Sequence, residues 1–239
     1  MSFIAALLQR KKAGFIPVIP DIKCVSPKEG ELLRGRDPVQ LAKELAAAGA
    51  PALSVVTEQN NFGGSCALLE SIAKAVELPV LRKDFIREVD DIKKTRDMGA
   101  RAVLIICAML PPAVLVKLYE EALRIGLEAL VETHAKEELL FAGQLGAKLV
   151  GINNRNIVGL ELDNGGVSLT QSLIAHKPKG AVLISESGIR TPAEARAAIS
   201  AGADAVLVGT AILQAPDAAK CFRSFSKGRE GKGSERYPG

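Results

Sequence analysis

Polar residues suited to acid–base chemistry recur at one kind of place in this sequence, the far end of a short apolar run. Asp21 and Lys23 stand at the end of Ile16–Ile22 and, as alternate residues of an extended chain, point to the same side. Lys83 ends the run in "VLRKDF", Glu132 the run in "LVETH", and Asn153 and Arg155 follow in "GINNRN". Glu186 and Ser187 end "ISESG", and Gly209 and Thr210 follow the last run in "LVGTA". Gathered on one rim, two lysines, two or three carboxylates and an amide could donate a proton to a carbonyl oxygen and take one from carbon. The chemistry needs pKa values driven apart by neighbours. A purely structural ion-pair network is the competing reading, because buried charges are also tolerated when paired. "SESGI" and "LVGTA" each lead into a helix and place Gly188 and Gly209 where backbone N–H groups face an anion, which predicts a phosphorylated substrate. No G-x-G-x-x-G follows the first run and no G-x-x-x-x-G-K-[ST] occurs, which argues against dinucleotides and nucleoside triphosphates.

Eight apolar runs must position these groups: Ile16–Ile22, Ala52–Val56, Val80–Arg82, Ala102–Cys107, Glu128–Val131, Lys148–Ile152, Ala181–Ser185 and Ala205–Val208. They are continuous, not alternating, as strands buried on both faces are. Amphipathic helical segments separate them, at Pro38–Ala48, Ala67–Val76, Glu88–Met98, Pro112–Ile125, Ala135–Leu145, Val167–Ala175, Pro192–Ala201 and Pro216–Phe225. Prolines near several starts and glycines past several ends fit helix boundaries. Eight strand–helix units predict an α/β fold, a single-domain (β/α)8 TIM barrel over residues 15–222, with an open doubly wound sheet as the alternative. Residues 1–14 form a short extension, in which "SFIAALLQRKK" could make a helix covering the site. Residues 223–239 read as a disordered basic tail.

Composition narrows the partners. Of 239 residues 48% are hydrophobic and 24% charged, a globular balance. Basic residues exceed acidic ones by four, and the tail from Phe222 carries most of that excess, so the charge does not indicate nucleic acid. Trp is absent and aromatics are 4%, too few for a base-stacking platform. The longest uncharged apolar stretch, Ala102 to Val116, is broken by Pro111 and Pro112 and is too short to span a bilayer. Cys24, Cys66, Cys107 and Cys221 form no C-x-x-C pair and read as buried thiols in a reducing compartment, which predicts a cytoplasmic protein without a metal site. His134 and His176 read as surface or packing residues.

"IPDIKCVSPKEG", "LSVVTEQNNFGGS", "VLRKDFI", "LVETH", "GINNRN" and "SESGI…GADAVLVGTA", in order from Phe15 to Leu213, together resemble the indole-3-glycerol phosphate synthase family of tryptophan biosynthesis. The resemblance implies ring closure, decarboxylation and dehydration of 1-(2-carboxyphenylamino)-1-deoxyribulose 5-phosphate, with no metal or organic cofactor. It makes Lys83 the acid that protonates the ketone oxygen and Glu132 the carboxylate that assists proton removal. Lys23 would contact the substrate and serve dehydration, and Asn153 would orient hydroxyls. Ser26, Ser187, Gly188, Gly209 and Thr210 would hold phosphate, Phe62, Phe85 and Ile157 would bed the anthranilate ring, and Arg155 and Glu186 would complete the substrate-binding rim. Association with other tryptophan-pathway enzymes is the partner question it raises. The chain departs from the pattern at Asp21, where the family usually has Glu, drawing the carboxylate back by about 1.5 Å, and at Cys24, where a basic residue is usual. Two rivals stay open: a sister isomerase, which would need a Cys/Asp pair, and a barrel that binds a sugar phosphate without catalysis.

Overall fold

The structure, a computed structural model, describes residues 1–155 and 166–228. Eight parallel strands close a barrel in chain order: β1 (Val18–Ile22), β2 (Leu53–Val56), β3 (Val80–Lys83), β4 (Ala102–Ile106), β5 (Glu128–Thr133), β6 (Leu149–Asn153), β7 (Val182–Glu186) and β8 (Ala205–Val208), with β8 beside β1. The helices are α1 (Phe3–Lys12), α2 (Pro38–Ala47), α3 (Cys66–Ala75), α4 (Val89–Asp97), α5 (Pro112–Arg124), α6 (Lys136–Gln144), α7 (Ser168–Leu173), α8 (Pro192–Ala201), α9 (Thr210–Gln214) and α10 (Ala218–Ser226). Every barrel-strand residue but Glu128 is buried, which explains why the runs are continuously apolar. Helix starts are fixed locally. Asp37 accepts the Val39 N–H, and Thr191 and Glu194 form a reciprocal capping box around Pro192.

Strand alternation divides the core in two. One set of side chains packs outward against the helices, including Val55, Val103, Val131, Val150 and Leu183. The other fills the barrel, where Ile19, Leu81, Leu104, Leu130, Leu149, Ile184 and Leu207 form an apolar plug. The next inward-facing residue toward the strand ends is polar on β1, β3, β5, β6 and β7: Asp21, Lys83, Glu132, Asn153 (beyond Gly151) and Glu186. The pairs Asp21 with Ser54 and Asn153 with Glu186 share register positions on neighbouring strands.

The N-terminal helix lies at the other end of the barrel, which corrects its expected role as a cover for the site. The Phe3 and Ile4 N–H groups donate to the carboxylate of Glu128, the first residue of β5, at 3.0 Å for Ile4. Lys11 pairs with Asp204, just before β8, at 2.6 Å. Phe3 and Leu7 are fully buried with the interior plug. An amphipathic helix buries its stripe wherever the matching surface lies, and here Glu128 supplies the anion that a helix N-terminus favours. The helix is a floor. Phe3→Ala is therefore expected to cost about 3–5 kcal/mol of stability in denaturant unfolding, while kcat of the folded enzyme stays unchanged.

At the opposite terminus α10 continues to Ser226, four residues past the expected end of the barrel, with Phe222, Phe225 and Ser226 buried. Ser226 Oγ donates to the Ile16 carbonyl at 3.1 Å, tying the last helix to the entry of β1. The expected tail beyond Gly228 lies outside the described residues. The expectation of four buried thiols fails: Cys66 is exposed in the first turn of α3, and Cys24, Cys107 and Cys221 are half-buried. No helix among the described residues is long and apolar enough to cross a membrane.

Candidate active site

The ends of β3, β5, β6 and β7 bring one ammonium, two carboxyls and an amide together. Lys83 Nζ lies 3.7 Å from Glu132 Oε2 and 3.9 Å from Glu186 Oε2, and both carboxyls are fully buried. Asn153 Nδ2 donates to Glu132 Oε1 at 3.1 Å, while Asn153 Oδ1 accepts the Arg155 N–H at 3.0 Å. With a donor duty on one side and an acceptor duty on the other, the amide can stand only one way round, and it holds the free edge of Glu132 toward Lys83.

Two carboxyls sealed from water around one ammonium cannot share it equally. Burial, and then the nearby Glu132 carboxylate, push the Glu186 carboxyl well above its ordinary range, against the opposing pull of Lys83. The native state therefore keeps a proton on Glu186 that the unfolded chain releases once pH passes the ordinary value of 4.5. Fewer protons bound when unfolded means that stability falls as pH rises, from that value up to the raised native pKa. Glu186→Gln, which needs no proton to be neutral, is expected to flatten this decline in unfolding measurements across that window.

Asp21 faces the same mouth. Ser54 Oγ, fully buried on β2, donates to Asp21 Oδ1 at 2.6 Å, so the shorter carboxylate is held at the β1–β2 edge. Asp21 also presses on the start of the β8 loop. A side chain on Gly209 would meet Asp21 Oδ2 at 3.3 Å and the Asp21 carbonyl oxygen at 3.0 Å, so the backbone approaches this closely only because residue 209 lacks a Cβ. Lys23 Nζ stands 5.7 Å over the Phe62 ring.

Two adjoining hollows, each about 360 Å³ with its open mouth, meet at Asp21 and Lys23, which line both. The first is apolar, walled by Phe62, Phe85, Leu104 and Ile106, with Lys83 at its base. The second is polar, walled by Arg155, Ser187, Gly188, Gly209 and Thr210. Ser187 (φ 63°) and Gly188 (φ 73°) take left-handed backbone in succession, and Ser187 is one of only two described non-glycine residues with positive φ. Strain of about 1–3 kcal/mol at such a residue persists only where its surroundings enforce it. Ser26 is placed differently. It is buried in a short ribbon of Val25–Ser26 against Gly30–Glu31, lines neither hollow, and its Oγ has no hydrogen-bond partner among the described residues. Ile157 lies outside the described residues.

A family model described as indole-3-glycerol phosphate synthase matches residues 1–225. The chain belongs to that family of carboxy-lyases. It is 43% identical over 215 residues to the indole-3-glycerol phosphate synthase of Pyrococcus furiosus, covering 90% of this chain and 93% of that one. It is 40% identical over 222 residues to the namesake from Carboxydothermus hydrogenoformans, covering 93% and 83%. Among solved structures, a mandelate oxidase variant with an FMN adduct superposes with a TM-score of 0.65 at 18% identity, over 87% of this chain and 70% of that one. That likeness concerns the barrel alone.

Within this synthase-family barrel, several residues at the site went unread in the sequence. Glu58, buried at the end of β2, accepts the N–H groups of Asn60, Asn61 and Phe62 at 2.8–3.0 Å and so fixes the loop that carries Phe62. Asp84 accepts from Thr57 Oγ1 (2.5 Å), Arg82 Nη2 (2.8 Å) and the Phe85 N–H (2.8 Å), clamping the turn after Lys83. Arg190 borders the polar hollow and pairs with Glu29 at 3.1 Å. His134 stands beside Glu132. A carboxylate just before "NNFGG" was the available signal for Glu58. A histidine two residues after a rim carboxylate, on the same side of the strand, was the signal for His134.

Proposed function

We propose that this enzyme converts 1-(2-carboxyphenylamino)-1-deoxyribulose 5-phosphate into indole-3-glycerol phosphate, carbon dioxide and water. The anthranilate ring occupies the apolar hollow between Phe62 and Phe85. The phosphate occupies the polar hollow, held by the Gly188, Gly209 and Thr210 amides, Ser187 and Arg155. The ketone then falls between the hollows, near Lys83. The Lys83 ammonium gives its proton to the ketone oxygen as the ring carbon attacks, offsetting charge as it develops. Loss of carbon dioxide restores the aromatic ring. Dehydration follows, with Lys23 as acid and Glu132 taking the carbon-bound proton, while Asn153 and Glu186 hold substrate hydroxyls and Asp21 orients Lys23.

The observation that carries this reading is the single ammonium poised within 4 Å of two buried carboxyls, where an apolar hollow meets a polar one. No step calls for a metal or an organic cofactor. The catalytic unit is one domain, residues 15–222, working in the cytoplasm on a small phosphorylated substrate, with other tryptophan-pathway enzymes as candidate associates. The purified protein given this substrate is expected to produce the indole fluorescence of the product. Absence of product at saturating substrate would leave a sugar-phosphate-binding barrel instead.

A further inference from the structure

His134 is a half-buried titratable group that the mechanism above does not use. It follows β5, and its Nε2 lies 3.5 Å from Glu132 Oε1. Its Nδ1 lies 3.8 Å from Oε2 of Glu138 in the first turn of α6, and that same oxygen accepts the His134 backbone N–H at 2.6 Å. Both ring nitrogens are shielded from water and have no hydrogen-bond partner among the described residues. Glu132 is wholly buried, whereas the Glu138 side chain keeps 23% of its surface exposed. The imidazole thus bridges a sealed carboxylate and one that reaches solvent.

The reaction gives this bridge something to carry. The substrate's carboxylate leaves as neutral carbon dioxide, so each turnover takes up one proton from solvent. Each turnover spends a proton from Lys83 and one from Lys23 while Glu132 gains one from carbon; that one returns to Lys23, and the solvent proton replaces the one Lys83 gives to the ketone oxygen. Lys83 is buried, and bound substrate covers the mouth above it.

We propose that His134 and Glu138 form the proton-entry route that recharges Glu132 and Lys83 between turnovers. This rests on the reaction assigned above. Glu138 takes a proton from water and passes it to Nδ1, and Nε2–H passes its own proton to Glu132. Glu132 hands it to Lys83 across 3.7 Å, and the imidazole returns to its starting tautomer by reorienting. The groups facing His134 suit this traffic. Burial alone would raise the Glu138 carboxyl, but the adjoining His134 side chain and the His134 and Ala135 backbone N–H groups bring it below its ordinary value. Cys107 after β4, which feels the charges of both carboxyls, is pushed up to about 12 by burial and then by Glu138 and Glu132, so its thiol does not compete as a relay. His134 is thus a positioning and relay residue that acts through Glu132.

Rapid-mixing kinetics of indole formation distinguish this from a packing role. In His134→Gln, Lys83 begins each experiment protonated, so the first turnover is expected at the wild-type rate. Later turnovers are expected to slow on the order of tenfold, the low end of what a proton-transfer group contributes. The result is a burst of about one product per site, an unchanged KM, a larger solvent deuterium effect on the slow phase, and recovery of rate with added imidazole. Glu138→Gln, on the helix surface, should show the same burst and covers the case in which the histidine variant folds poorly. Equal slowing of first and later turnovers, or steady-state rates within twofold of wild type and no burst in both variants, overturns the relay while leaving the reaction intact. Wild-type protein that forms no indole brings down both readings.

Discussion

Lys83→Ala is expected to fold and to lose turnover by about 10²–10⁴-fold, the range for a positioned proton donor. The loss should exceed that of an exposed lysine because the ammonium has two duties. It donates to the ketone oxygen, and it is the cation within 4 Å of both Glu132 and Glu186. The barrel should survive the change, since the interior plug of Ile19, Leu81, Leu104 and Leu130 lies beneath this layer. Indole formation with saturating substrate, measured beside a circular-dichroism melt, checks both halves. Retention of more than about a tenth of the rate by a folded variant would show that another group supplies the proton.

The barrel was legible in the sequence because its strands are buried on both sides and therefore apolar without interruption. The limit of that signal shows at the strand ends. β3, β5, β6 and β7 each run one or two residues beyond the last apolar position, to Lys83, Thr133, Asn153 and Glu186. A strand that delivers a polar group to the rim must stop looking apolar where the chemistry begins. β1 errs the other way, starting at Val18, because the Ile16 N–H is taken by the Ser226 carbonyl at the end of α10 and not by a neighbouring strand. The bottom location of α1 was not legible. Its stripe of Phe3, Ala6 and Leu7 announces that one face is buried but not against what, and the deciding partner, Glu128, lies on a different element. His134 read as a surface or packing residue because a lone histidine carries no pattern. Only its 3.5 Å approach to Glu132 gives it one.

Gly151→Ala should cost nearly as much as losing a rim side chain, although glycine does no chemistry. A Cβ at Gly151 would lie 2.0 Å from Glu186 Oε1 and 3.4 Å from Leu130 Cδ1. The Glu186 carboxyl rests on bare backbone at the middle of β6, and this seat brings it beside Glu132 and Lys83. Gly151 pairs with Glu132 on β5 and with Ile184 on β7, so both flanking strands fix its height and backbone movement cannot absorb the added methyl. The carboxyl must therefore swing away, disturbing the charge balance around Lys83. Displacing a catalytic-layer group by 1 Å or more is expected to lower kcat by on the order of 10². The melt should change less steeply, because the apolar plug below is untouched. The same variant should lose the pH-dependent fall in stability traced to Glu186, since a carboxyl expelled toward water regains an ordinary pKa. A folded Gly151→Ala protein with wild-type kcat and an unchanged pH slope would mean that Glu186 finds its place without this glycine.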